Sequence, residues 1–491
     1  MNSISSEEEL KKLPRPIRQG AKRAPKIMHF GPGAFFRSFV ASLIDKVNQK
    51  DIEKWGIVAV SLNSESTFDK LEGQDFVFNA LSMSSDKKQI QQVSSVSDFF
   101  VAKKDRQSVL DALSDERIKI VSLTITEKGY NYNPNKKELD VGNQNIIDDL
   151  RNPENPKTAV GFLVAGLRTR YLNGKTPFTV LSCDNLPNNG AVVQKVVLDF
   201  AQKIDPNFAT WVRNEVRFPS SMVDRITPAT REQEIVNFAN EYGVYDPALV
   251  VHEEFFQWVI EDEFSSERPK FEIAGIQMVR NVELHEKMKL RCLNGTHSAL
   301  AYLGYLSGFN TIAECVSHDS MVNYIQYLWE KEIIPTLETP EGENLNDYCS
   351  KLIERYRNPA IEHKTWQIAM DGSQKLPQRI LETVIYLLNH KRNFQGLALA
   401  IASWIKYVSG KDLNGKAIDV RDPMADEFFQ IAKNSKNTDI YIDAILDIKE
   451  VFPESLRDSS AFRIELKKSY NYLEKYGSLG SVKKLVSYVD K

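Results

Sequence analysis

The sequence predicts an α/β N-terminal domain built on a doubly wound parallel sheet, followed by a mainly α-helical C-terminal domain. Three observations predict it. The first half alternates short apolar, β-rich runs with helical patterns. From about residue 282 strand signals become few and helical periodicity takes over. The chain, at 491 residues and 42% hydrophobic, is long enough to bury more than one core. The boundary falls near 280, giving domains over 1–280 and 281–491.

Four runs read as buried strands: KIMHF (26–30), WGIVAVSL (55–62), IKIVSLTIT (118–126) and PFTVLSC (177–183). Continuous apolar runs of this length suit a parallel sheet covered on both faces. Helical stretches such as FFRSFVASLIDKVNQK (35–50) and GAVVQKVVLDFAQKI (190–204) lie between or after them, the signature of βαβ units. In the second half, VELHEKMKLRCLNGTHSALAYLGYLSG (282–308) has helical periodicity. Further helical candidates follow at 319–335, 343–357, 376–391, 395–408 and 425–434.

Composition excludes several classes. With 63 basic and 66 acidic residues the net charge is −3, which gives no general surface for nucleic acid. One basic run, KKLPRPIRQGAKRAPK (11–26), carries seven Lys or Arg. It reads as a solvated arm leading into the first strand; the alternative is a role beside a phosphate or at a subunit contact. The four cysteines (Cys183, Cys292, Cys315, Cys349) are far apart and form no C-x-x-C pair. That argues against a zinc site and a disulfide scaffold and fits a reducing compartment. MNSISSEEELKK has no apolar segment of signal-peptide type. The longest helical apolar run, Gly396 to Ile405, is too short to span a bilayer. The expectation is a soluble, cytoplasmic protein with no membrane partner. Nothing in the chain signals an oligomeric state.

KIMHFGPGAFFRSFV (26–40) places a strand, then G-x-G, then a helix, the geometry that points helix N-terminal amides at a pyrophosphate. Gly31 would make the tight turn and Gly33 would let backbone approach phosphate. The third glycine of the usual fingerprint is replaced by Phe36, which implies a wider or differently angled helix. A plain strand-turn-helix corner is the competing reading. The second strand ends in SLNSES (61–66), where an Asp or Glu would bind the ribose 2′-hydroxyl. Asn63 takes that position and is neutral, with Glu65 two residues on, so NAD and NADP both stay open.

KLRCLNGTH places Lys289, Asn294 and His297 in one helical stretch. At roughly 100° per residue, Asn294 lies about 140° from Lys289, with His297 between them at about 80°. All three can border one cavity. Their neighbours LRCL and ALAYLGYL are apolar, so the polar groups need partners, and a buried lysine moves from about 10.4 towards neutrality and becomes a competent base. The competing reading is a surface lysine on an amphipathic helix beside a satisfied core histidine. Asn185, in SCDNLPNNG (182–190), lies just past a strand end, where open α/β sheets bind ligands. SMVDRITP (221–228) buries Asp224, and MDGSQKLPQR (370–379) supplies Lys375 and Arg379 after a turn. Each of these is equally readable as a structural loop contact.

Together these stretches, with TITEKGYNYN (124–133), FFQWVIEDEF (255–264) and RDPMADEF (421–428), resemble the polyol-specific long-chain dehydrogenases, the mannitol dehydrogenase family, which includes hexuronate reductases. The resemblance covers nearly the whole chain, and K-x-x-x-x-N-x-x-H is its most specific element. It implies an N-terminal Rossmann domain and a helical C-terminal domain with the site between them, and zinc-independent hydride transfer with NAD or NADP. By position it makes Lys289 the general base, Asn185 and Asn294 an oxyanion pair, and His297 the ligand of a neighbouring hydroxyl. Asp224 and Lys375 would bind substrate hydroxyl or carboxylate groups. Phe30, Gly31, Pro32, Gly33, Ala34, Phe35 and Arg37 would form the nucleotide loop, with Thr126, Glu127 and Lys128 near the nicotinamide end. Mannitol dehydrogenases usually carry Arg eight residues before the lysine of the D-G-S-x-K motif, Lys375 in this chain; here it is Gln367. TWQIAMDGSQKLPQR (365–379) is more similar to the fructuronate reductase branch; a uronate substrate needs a cation for its carboxylate, and Lys375 and Arg379 are the candidates. The resemblance therefore implies D-mannonate/D-fructuronate interconversion. Mannitol/fructose and altronate/tagaturonate are the alternatives, and a non-catalytic nucleotide-binding relative is the contrasting class.

Overall fold

The computed structural model describes residues 7–84, 87–134 and 136–487; the stretch read above for a signal segment lies partly outside them. The chain forms two compact units, Met1–Glu283 and Leu284–Lys491.

The first unit is built on five parallel strands: β1 (Pro25–Phe30), β2 (Gly56–Ser61), β3 (Val96–Val101), β4 (Ile120–Leu123) and β5 (Thr179–Ser182). Their order is β3-β2-β1-β4-β5, so the topological switch point lies between β1 and β4. Strand alternation explains why the apolar runs are continuous. Met28, Phe30, Val58, Val60, Val121, Leu123 and Val180 face one core, which the helices Arg106–Ser114, Ala159–Leu172 and Asn189–Ile204 cover. Ile27, Ile57, Ala59, Ile120 and Leu181 face the other, filled by Phe36, Phe39, Leu43 and Ile44 of the helix that follows β1.

The run 118–126 yields a shorter strand than its apolar length suggests, because Asp184 captures the amides of Ile125 and Thr126 and turns the chain. The edge strand β3, in VSDFFV, carries a polar residue and gave no apolar run to read. Three smaller sheets accompany it, one of them the short antiparallel pair Tyr132–Asn133 and Glu138–Leu139. Phe78–Met83 pairs antiparallel with Lys88–Val93 and parallel with Val250–Glu253. Ser221–Asp224 pairs antiparallel with Gln257–Glu261, which runs parallel to Gln277–Val279.

The basic arm is corrected. Rather than being solvated throughout, it is pinned to the first unit. The Arg18 side chain, 7% exposed, pairs with Asp75 (2.6 Å) and donates to the carbonyls of Ser94 (2.6 Å) and Val96 (2.6 Å). Lys22 reaches Asp75 and Arg23 reaches the buried Asp45. Carboxylates and unpaired strand carbonyls gather these cations; Lys11 and Lys12 stay exposed.

The second unit is helical, and among its described residues only isolated bridges interrupt that pattern. The expected helices are present, including Gln395–Val408 and Ala425–Asn434. Thr438–Leu446 and the long Ser460–Ser487, kinked at Gly477, are additions the sequence did not announce. All four cysteines are buried and unpaired. No helix among the described residues is long and apolar enough to cross a membrane.

Candidate active site

In the first unit the polar residues collect at the carboxyl ends of β1, β4 and β5. Gly31 leaves β1 at φ 90°, and a Cβ there would lie 2.1 Å from the Thr124 carbonyl oxygen. Both the left-handed backbone and the close approach to β4 require glycine. Gly33 is different: a Cβ there would meet nothing nearer than 4.0 Å, so its open side faces free space. Gly33 starts the helical segment 34–50 with no side chain capping its first amides, which suits an anionic ligand. Phe30 and Pro32 are buried, Ala34 and Phe35 half-buried.

Phe36 fills the place of the missing glycine, stacking on His29 at 4.0 Å. The helix widens immediately after it into a π segment, Arg37–Ala41. The ring nitrogens of His29 bond Ser122 Oγ and Thr124 Oγ1, each at 2.8 Å, and burial lowers its pKa to about 3. Arg37 is buried, donates to the Pro32 carbonyl (3.3 Å), and is pushed by burial down to about 10.

At the end of β2, Asn63 is exposed, and Glu65 is engaged by Lys104 at 2.5 Å. Beyond β4, Thr126, Glu127 and Lys128 are exposed, with Thr126 at φ 64°. The Asp184 carboxylate accepts from the amides of Ile125 (2.9 Å) and Thr126 (3.1 Å) and from the Tyr130 hydroxyl (2.7 Å). Burial pushes its pKa up against these donors. Asn185 is exposed in the bend that follows, and Asp224 is buried at the end of its strand.

In the second unit, Glu283–Met288, Lys289–Gly295 and Thr296–Leu306 form one helical run with a π segment in the middle. This corrects the angular reading. A π turn bonds residue i to i+5, so Asn294 stacks over Lys289 instead of lying about 140° away. His297 follows Asn294 by three residues, across the junction of the π segment with the α-helix, and stays on that side. Lys289, Asn294 and His297 are 7%, 8% and 6% exposed. Asn294 Nδ2 and His297 Nε2 are buried without a hydrogen-bond partner.

The His297 ring meets His363 edge-on at 4.4 Å and Tyr356 at 5.0 Å. Tyr356 is fixed by Thr296 Oγ1 (2.9 Å) and the Leu293 carbonyl (3.1 Å). Arg379, in the π segment Pro377–Leu381, donates to Ser298 Oγ (3.2 Å), and the Lys375 ammonium donates to the Met370 carbonyl (2.5 Å). Burial holds His297 well below its ordinary pKa, helped by His363, Arg379, Arg355 and Lys375. His363 is lowered to about 4 by burial and then by Arg355, Lys375 and Arg379. Two neutral imidazoles thus sit in the field of three cations, an environment that favours an anion. Gln367 is exposed on the short helix Thr365–Ala369. Arg355, Tyr356 and His363 were missed by sequence reading: LIERYRNP and IEHK look like an ordinary helix end and loop. Asp184 and Tyr130 were missed too, although both lie within stretches singled out. Among the described residues no group of three His, Cys, Asp or Glu could hold a metal ion.

Residues 25–273 match the mannitol dehydrogenase Rossmann domain and residues 281–474 the mannitol dehydrogenase C-terminal domain. The chain belongs to the mannitol dehydrogenase family. It is 42% identical to an uncharacterized oxidoreductase, YeiQ, of Escherichia coli K12, over 97% of this chain and 98% of that one. It is 39% identical to the D-mannonate oxidoreductase of the same organism, over 94% and 96%. Pseudomonas fluorescens mannitol 2-dehydrogenase, solved as a ternary complex with NAD and D-mannitol, superposes with a TM-score of 0.85 at 34% identity, over 98% of this chain and 99% of that one. The chain is therefore an oxidoreductase with a Rossmann-type α/β domain and a helical domain.

Proposed function

We propose that the protein is an NAD(P)-dependent secondary-alcohol dehydrogenase that interconverts D-mannonate and D-fructuronate. The observation that carries the substrate class is the group of Lys375, Arg379 and Arg355 around His297 and His363, which suits a carboxylate. Its resemblance to the D-mannonate oxidoreductase supports the same reading. The open side of Gly33 and the uncapped helix start beside it fit a dinucleotide pyrophosphate, held by the Gly31–Gly33 turn. When bound, the nicotinamide supplies the hydride acceptor.

The chain's own residues do the rest. Lys289 removes the hydroxyl proton of the alcohol during oxidation, as the carbinol hydrogen leaves as hydride, and returns that proton during reduction. Asn294 contributes a buried amide donor with no other partner to the oxygen that gains charge, and the exposed Asn185 contributes its amide to the same oxygen. His297, neutral and with Nε2 unpartnered, orients a neighbouring hydroxyl. Asp224 and Lys375 bind further substrate groups, and Arg379 the carboxylate. Thr126, Glu127 and Lys128 border the nicotinamide end. Asn63 leaves the ribose site neutral, and with Glu65 tied to Lys104 nothing there repels a 2′-phosphate strongly.

Mannitol/fructose is the second reading, favoured by the likeness to the mannitol 2-dehydrogenase complex. Initial rates in EDTA with D-fructuronate, D-tagaturonate and D-fructose, each with NADH and NADPH, separate the readings. Preference for fructuronate sustains the proposal. Preference for fructose makes Gln367 a tolerated change in a polyol dehydrogenase and removes the carboxylate role of Arg379. Tagaturonate preference keeps the carboxylate site and changes the sugar.

A further inference from the structure

Thr126 is a β-branched residue in the left-handed region, at φ 64°. Such residues strongly disfavour this conformation, and it persists only where the surroundings impose it. The imposing group is Asp184. Its carboxylate accepts from the Thr126 amide (3.1 Å) and the Ile125 amide (2.9 Å), gripping the chain on both sides of the bend. Asp184 is itself braced. The Tyr130 hydroxyl donates to it at 2.7 Å while also bonding Ser182 Oγ at 2.6 Å. The Asn189 amide donates to its backbone carbonyl at 3.0 Å and to the Ser221 carbonyl at 2.8 Å.

The place of this grip in the sheet gives it meaning. β4 neighbours β1 at the switch point, where open α/β sheets bind ligands. The carbonyl of Thr124 already abuts Gly31, and Thr124 Oγ1 donates to the Gly31 carbonyl at 2.7 Å. The backbone just beyond β4 is thus locked to the nucleotide turn on one side and to Asp184 of the β5 loop on the other. Thr126, at the second lock, and Glu127 and Lys128 just beyond it are left exposed.

We propose that Asp184 is a positioning residue that holds Thr126 in its left-handed conformation, so that residues 124–128 present a preformed edge to the dinucleotide cofactor. This rests on the reading of the chain as a nicotinamide-dependent dehydrogenase. Asp184 acts through backbone, so its importance depends on the residue at 126. Glycine adopts positive φ without strain and has no need of the grip.

The test is a double-mutant cycle read by NADH binding, followed by quenching of protein fluorescence, on the full chain without substrate. Asp184→Ala weakens NADH binding by about tenfold in the natural background, but by no more than about twofold when Thr126→Gly is also present. An equal fold-loss in both backgrounds, or none in either, overturns the inference while NADH binding by the wild type leaves the dehydrogenase reading standing. A wild type that binds neither NADH nor NADPH overturns that reading, and the inference with it. Melting temperatures establish that each variant is folded. Should Asp184→Ala not fold, Asp184→Asn replaces one acceptor by a donor at the same size, and the same comparison with Thr126→Gly decides.

Discussion

At the carboxyl ends of β1, β4 and β5, apart from the buried and unpartnered Nε of Arg37, polar side chains are committed to backbone and to one another. His29 has both ring nitrogens bonded, Thr124 ties to Gly31, and Asp184 takes three donors. Around His297 the opposite holds: Asn294 Nδ2, His297 Nε2 and His363 Nδ1 are buried without hydrogen-bond partners. Unsatisfied buried polar atoms are rare in folded proteins and destabilising. The helical unit tolerates three together, beside a set of cations. The difference separates two kinds of preparation: the sheet unit fixes the course of its backbone, while the helical unit keeps hydrogen-bonding capacity in reserve for a ligand.

The comparison breaks first at Lys289. Lys289→Ala should lower kcat by about 10³–10⁴-fold while NADH binding, measured by fluorescence, stays within about twofold. A variant that retains turnover would remove the base from the helical unit, and a wild type with no turnover to lose would favour the non-catalytic relative. Asn294→Ala should lower kcat by about 10²–10³-fold with no fall in melting temperature, because a donor without a partner contributes nothing to the fold it leaves.

The histidines sharpen the contrast through pH. His363 is lowered from 6.5 to about 4, so its folded value lies below its unfolded one. Its contribution to stability is then complete above about 6.5 and is lost as pH falls towards 4. Urea unfolding of His363→Asn should show about 2 kcal/mol less pH dependence between 7 and 4.5 than the wild type. At pH 7 that variant should be nearly as stable as the wild type, whereas His29→Asn, which breaks two bonds and a ring stack, should be clearly less so.

The smallest of these effects concerns the nucleotide turn. Gly31→Ala should destabilise the protein by about 1–3 kcal/mol in urea unfolding. Gly33→Ala should leave unfolding within about 0.5 kcal/mol and weaken NADH binding instead, since its open side lies against no protein atom. Equal losses of stability at the two glycines would erase the distinction between a turn residue and a ligand-facing one.

Much of this was legible because burial leaves a local trace. The runs at 26–30, 55–62 and 177–183 are apolar on both faces, and they became β1, β2 and β5. Lys289, Asn294 and His297 stood out as polar residues in an apolar helix, and their burial followed from their neighbours. Their relative angle did not, because an α-helical period cannot anticipate a π segment. Edge strand β3 escaped because Ser97 and Asp98 interrupt its apolar run. Asp184, Arg355 and His363 escaped for another reason. What marks them is contact with residues distant in sequence, and a lone Asp after a strand or a His in a loop carries no periodic signature.

The pinned arm bears on something other than catalysis. β3 is an outer strand of the main sheet, and Arg18 covers the carbonyls of Ser94 and Val96 at its start. The family's Rossmann domain begins only at residue 25, so a chain trimmed to that boundary would lose this cover. Uncovered strand edges are templates for pairing with another chain. The first failing of a trimmed protein would accordingly be solubility, with strand edges of neighbouring molecules joining, before any change in the chemistry of its active site.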